Sequence, residues 1–138
     1  FDVPRTVEGR RVEDVRLVFE DGEVVAHEAR VGADAVRDVL ETDAGARRLG
    51  ELGVGMNRGI DRVTDNVLFD EKMAGTVHLA LGRAYDACVP DGTGNESAVH
   101  VDLITRMGEG SRLLLDGEPV QRDGRFVWDN AEGEAGSG

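Results

Sequence analysis

Cysteine, lysine and aromatic residues are nearly missing from this sequence of 138 residues. The single cysteine, Cys88, rules out an internal disulfide and suits a reducing compartment, so a cytoplasmic location is expected. Aromatics make up only 4% of the chain, so aliphatic side chains must fill the interior. No run of about 18 apolar residues occurs, which excludes a membrane-spanning helix of ordinary length. There is no initiating Met and no signal-peptide pattern, and the opening at Phe1 reads as a segment of a longer or processed chain.

Cations are scarce too. Lys72 is the one lysine and arginine supplies the rest, so 28 acidic residues against 16 basic ones leave a net charge of −12. A chain this acidic repels phosphate backbones and anionic headgroups, so neither nucleic acid nor membrane is an expected partner. The acid is spread along the chain. We read that spread as solvation in concentrated salt, a halophilic trait; an ordinary acidic cytosolic protein from a GC-rich genome would show the same balance.

What is present is periodicity. VEDVRLVF and EVVAHEARV, between Val12 and Val31, alternate on either side of Asp21-Gly22, which predicts a β-hairpin. Val36, Val39 and Leu40 then follow helical spacing. Thr42 and Asp43 can cap a further turn through Ala44, Ala46, Arg47 and Leu49, and Gly50 closes it. Alternation resumes in ELGVGMN. LFDEK reads as a turn or short helix, GTVHLALG and AVHVDLIT as strands, and Val89–Glu96 as a Gly-rich loop. RLLLDGEPV and QRDGRFVW give one or two closing hairpins, and AEGEAGSG has no apolar period. The expected fold is α+β, mostly antiparallel β-sheet with hairpins and a short helical segment at about 33–49. One domain spans 1–129 and a disordered tail spans 130–138.

Three of these strands share a design. Residues i and i+2 of a strand face the same side. One side of ELGVGMN therefore carries Glu51 with Gly53, Gly55 and Asn57; one side of TVHLALG carries His78 with Ala80 and Gly82; one side of SAVHVDL carries Ala98, His100 and Asp102. The opposite sides are aliphatic, as expected of faces turned to a core. Small neighbours open space beside ionisable groups, as a ligand needs and a packed core avoids. Imidazole and carboxylate are ligands for zinc and for cobalt- or manganese-like ions. A solvated polar face gives the same pattern on any single strand, so the argument rests on Glu51, His78, His100 and Asp102 jointly. His27 lacks small neighbours and reads as a surface residue. Tyr85 either leans back over such a site or anchors packing, and Glu71 with Lys72 forms either an exposed ion pair or a catalytic acid with an orienting cation. Cys88 has no basic partner nearby, and GTGNES opens no helix, so neither a thiol nucleophile nor a phosphate loop is expected.

The strings TDAGARRLGELGVGMNRGI, NVLFDEKMAGTVHLALGRAY and GNESAVHVDLI, in that order, together with the late DGEPVQRDGRF, resemble the C-terminal part of the thermophilic-type metalloaminopeptidases, peptidase family M29. That resemblance covers about Val7 to Trp128. It implies hydrolysis of N-terminal residues from peptide substrates with two divalent ions (zinc, cobalt or manganese), in a homodimer. It assigns Glu51, His78, His100 and Asp102 as metal ligands and Tyr85 as an active-site residue; the general base is either a glutamate upstream of Phe1 or a carboxylate of this chain such as Glu71. Phe1-Asp2-Val3-Pro4 matches the end of a family motif whose metal-binding glutamate would precede Phe1. The resemblance also implies an N-terminal domain outside these residues, so that the segment alone is expected to be inactive. The other reading is a non-catalytic metal-binding or dimerisation module with a vestigial site.

Overall fold

The computed structural model describes residues 1–60, 62–85, 90 and 92–129. Among them run β1 (Arg5–Val7), β2 (Arg10–Glu20), β3 (Glu23–Val31), α1 (Ala33–Leu40), a 3₁₀ turn (Ala44–Arg47), β4 (Leu49–Val54), α2 (Val67–Asp70), β5 (Thr76–Gly82), β6 (His100–Arg106), β7 (Arg112–Leu115), β8 (Glu118–Arg122) and β9 (Arg125–Phe126). Cys88 and the expected tail 130–138 lie outside the described residues.

The strands form three antiparallel sheets of three, ordered β1-β2-β3, β4-β5-β6 and β7-β8-β9. The α+β reading, mostly antiparallel with hairpins, holds. Four turns repeat one chemistry: Glu8-Gly9, Asp21-Gly22, Asp116-Gly117 and Asp123-Gly124 all have both residues at positive φ. Such paired left-handed residues match the twist of the flanking strands. β1 and its Glu8-Gly9 turn were absent from the sequence reading, because three residues are too few to show alternation.

The expected helical segment splits in two. α1 buries Ala35, Val36, Val39 and Leu40, and Thr42 Oγ1 donates to the Asp38 carbonyl at its end. Asp43 caps the following 3₁₀ turn by accepting from Ala46 N–H at 2.8 Å. Gly50 does not close this turn as expected. It lies inside β4, where a side chain would collide with the Gly82 carbonyl 2.4 Å away.

α1 covers the β2–β3 hairpin, and Val12, Val15 and Val24 meet Leu81 and Leu103 of the second sheet in one core. That contact backs the sheet on the side facing away from His78. The aliphatic face is only partly covered, contrary to expectation: Leu81 is 1% exposed, but Leu52 on the outer strand is 63% exposed. The hairpin and α1 reach β5 and β6 and stop short of most of β4. The far edge of β6 is covered by residues 2–5. Val3 N–H donates to the Ile104 carbonyl (3.2 Å), Asp2 accepts from Arg106 N–H (2.8 Å), and Arg5 donates to the Asp102 carbonyl. Among the described residues, no helix is long and apolar enough to cross a membrane.

Candidate metal centre

Strand register brings the ionisable residues together. Across the second sheet, Glu51 pairs with Ala80 and Ala80 with Asp102, while Gly53 pairs with His78 and His78 with Ile104. Gly82 pairs with His100. Paired residues share a face, so Glu51, His78, His100 and Asp102 all project from one side of three adjacent strands. Ala80, fully buried between the two carboxylate-bearing positions, keeps the space among them open.

One ligand atom each from Glu51, His78 and Asp102 lies within 4.8 Å of the others. His78 Nε2 is 3.1 Å from Glu51 Oε1. His100 adjoins from the other side, its Nε2 3.6 Å from Glu51 Oε2 and 3.4 Å from Asp102 Oδ2. Each oxygen of Glu51 therefore faces a different imidazole. His100 Nδ1 lies 2.7 Å from the Arg83 carbonyl, which can only accept, so Nδ1 carries a proton and Nε2 is the nitrogen turned to the carboxylates.

The cluster is not satisfied by protein alone. Glu51 Oε2, His78 Nδ1 and Asp102 Oδ1 are buried and have no hydrogen-bond partner among the described residues. Three such orphans side by side are unusual, since buried polar groups nearly always find partners. Imidazole nitrogens and carboxylate oxygens crowded this closely are the donor set of a divalent cation. Burial pushes the Asp102 carboxyl above its ordinary range and nearby Glu71 adds to this, while His100, Arg5 and His78 oppose it. A cation there would stabilise the ionised form that burial penalises.

Tyr85 reaches back over the site, its ring centroid 4.3 Å from that of His100 at an interplanar angle of 31°. Glu71 and Lys72 line an open cleft of about 580 Å³ together with Glu51, Gly53, Met56 and His78. The Glu71–Lys72 ion pair forms at 2.9 Å, with the carboxylate largely covered and the ammonium more exposed. Lys72 also donates to the Leu68 carbonyl at 2.7 Å. Gly55 still donates to the Thr76 carbonyl, but Asn57 does not continue the ligand face: β4 ends at Val54, and Met56 and Asn57 bend to donate to the Lys72 carbonyl. His27 sits on β3, half-exposed and paired with Leu17, apart from the cluster.

Arg5 escaped the sequence reading. Its guanidinium is drawn below its ordinary pKa by burial, an effect that the charges of Asp102 and Glu71 oppose. It thus places a cation behind both carboxylates. No local pattern marks it, because the contact spans 97 positions.

Fold and cluster together define a strand-borne carboxylate–imidazole centre suited to divalent metal. Comparison with known proteins agrees. The family model described as thermophilic metalloprotease (M29) matches residues 1–126. Aminopeptidase T of Thermus aquaticus is 38% identical over 141 residues, covering 90% of this chain and 34% of that protein. Aminopeptidase 2 of Geobacillus stearothermophilus is 32% identical over 150 residues, covering 93% and 35%. The solved structure of wild-type AmpT from Thermus thermophilus superposes with a TM-score of 0.75 at 36% identity, covering 90% of this chain and 34% of that one. The chain belongs to the M29 metalloprotease family, and it spans about a third of the length of these relatives.

Proposed function

We propose that this chain supplies the metal-binding part of a metal-dependent aminopeptidase, which hydrolyses the first residue from peptides with two bound divalent ions. The orphaned atoms of Glu51, His78 and Asp102, with His100 Nε2 beside the carboxylates, carry this reading. The relatives' names support the reaction class.

In this reading Glu51, with one oxygen toward each imidazole, would hold the metal together with His78, His100 and Asp102. Zinc, cobalt and manganese all suit the donors. Bound metal would acidify a water and polarise the scissile carbonyl. The remaining work falls to the chain. The cleft beside Glu51 and His78 admits the peptide, and Glu71 at its wall is placed to accept a proton from water or to hold the substrate amine. Lys72 keeps Glu71 oriented. Tyr85 shields His100 and brings a hydroxyl to the rim. The active form is a homodimer, and residues 1–138 alone are expected to bind metal but turn over substrate poorly, because the relatives carry most of their length outside the aligned part.

The test is calorimetric titration of zinc, cobalt and manganese into the wild type, His78→Ala and His100→Ala, in molar KCl. Binding near micromolar that both substitutions abolish is expected. A folded wild type that takes up none of the three would overturn the reading. Amino-acyl anilide hydrolysis by the full-length protein, lost in the same variants, then tests the reaction. Metal uptake without hydrolysis would favour a non-catalytic module.

A further inference from the structure

The segment Gly82–Tyr85 gives His100 both of its supports: the Arg83 carbonyl that receives Nδ1–H and the Tyr85 ring that lies against the imidazole. Gly82 ends β5, opposite His100 and with its N–H on the Arg48 carbonyl, and residues 83–85 run on beyond the strand. Asn95, from the loop that precedes β6, ties this end of the strand down. The Asn95 side-chain amide donates to the Gly82 carbonyl at 2.7 Å and to the Gly45 carbonyl of the 3₁₀ turn at 2.9 Å. Its main-chain carbonyl accepts from Ala84 N–H at 3.0 Å. Asn95 thus holds the residue before Arg83 by its carbonyl and the residue after Arg83 by its N–H. Arg83 N–H is taken by the Val99 carbonyl at 2.8 Å, and the Arg83 carbonyl is turned to His100 Nδ1.

We infer that Asn95 is a positioning residue for the metal centre: it fixes the Arg83 carbonyl, and through it the tautomer and orientation of His100. This rests on the metal reading proposed above. The chemistry is specific to an amide. Both partners of the side chain are carbonyl oxygens, so both N–H bonds of the Nδ2 group are used and no acceptor can replace them. An aspartate would set a carboxylate against two carbonyl dipoles, and an alanine would take the donor from the Gly82 carbonyl and leave Gly45 with the Arg48 N–H alone. Partners that orient a metal-binding histidine typically affect affinity by about 10–100-fold.

The experiment uses the full-length protein and the variants Asn95→Asp, Asn95→Ala and Asp43→Ala. Asp43 anchors the same loop through Ser97 Oγ (2.7 Å) and Ala98 N–H (2.8 Å), without touching residues 82–84. In metal-free protein, nitrogen-15 imidazole spectra report which ring nitrogen of His100 is protonated. The wild type and Asp43→Ala should show the Nδ1–H form, and both Asn95 variants should shift toward Nε2–H. Zinc and cobalt affinity should fall about 10–100-fold in the Asn95 variants and stay near wild type in Asp43→Ala. Unchanged tautomer and affinity in a folded Asn95 variant would overturn the inference while leaving the metal reading intact. An equal loss in Asp43→Ala would also overturn it, since loop anchoring alone would then account for the effect. If Asn95→Ala does not fold, the near-isosteric Asn95→Asp decides. Failure of the wild type to take up metal would instead bring down the reading on which the inference rests.

Discussion

The imidazole of His78 lies over the backbone of Gly53, its partner across β4 and β5. A methyl group on Gly53 would sit 2.0 Å from Cε1 and 2.2 Å from Nε2 of that ring. Glycine is required there because the ring occupies the place of a side chain.

Gly53→Ala should therefore expel His78 from its position beside Glu51. We expect metal affinity to drop at least about tenfold, or ~1.4 kcal/mol, as read by calorimetry. Gly53→Ala should also destabilise the fold less in a His78→Ala background than in the wild type, which a double-mutant cycle in denaturant unfolding checks. An additive loss would mean that Gly53 matters for the strand and not for the histidine.

The two faces of β5 should respond differently. Leu81 is buried in the core on the side away from the cluster, and Leu81→Ala is expected to cost about 2–5 kcal/mol in denaturant unfolding. Metal affinity of the folded protein should stay unchanged. Ala80→Leu should show the reverse emphasis, since added bulk between Glu51 and Asp102 fills the space a cation needs.

Asp43 makes stability depend on pH. Hydrogen bonds from Ala98 N–H, the Ser97 hydroxyl and Ala46 N–H hold its carboxyl below the ordinary value of 3.8. A carboxyl whose pKa is lower folded than unfolded stabilises the fold above the unfolded value, and loses that contribution as pH falls through the folded one. The melting temperature of Asp43→Ala should thus lie below wild type by a constant margin above about pH 5, and the two should converge below 3.8. A margin that widens in acid would contradict the assignment.

Tyr85→Phe keeps the ring against His100 and removes only the hydroxyl. Metal affinity should hold while anilide turnover by the full-length protein falls on the order of 10²-fold. Tyr85→Ala should additionally weaken metal binding. Equal turnover in Tyr85→Phe and wild type would restrict Tyr85 to a packing role.

That Glu51, His78, His100 and Asp102 share a face was legible in the sequence because strand alternation is a rule of period two, and small residues such as Gly53, Ala80 and Ala98 stand beside them. α1 was legible from Val36, Val39 and Leu40 for the same kind of reason. What alternation does not encode is register between strands. That Glu51 and Asp102 flank Ala80 follows from pairings across 29 and 22 positions, and no spacing within one strand shows it. Arg5 and Asn95 were illegible on similar grounds. Arg5 reaches Asp102 from the far end of the chain, and Asn95 acts through carbonyl groups, which look alike in any sequence. The extent of cover over Leu52 was likewise hidden, since an aliphatic face looks the same whether or not something rests on it.

The segment laid along β6 decides how the site's sheet can meet another polypeptide. With Asp2, Val3 and Arg5 bound to Arg106, Ile104 and Asp102, that flank presents no row of unpaired amides to an incoming strand. At the other flank the β2–β3 turn covers the start of β4, through Leu49 N–H on the Gly22 carbonyl. Beyond it, Leu52 and Val54 alternate with the residues bonded to β5 and turn their amides outward. Any strand added to this sheet must therefore arrive at β4, next to Glu51, so growth of the sheet and access to the metal cluster compete for the same few residues.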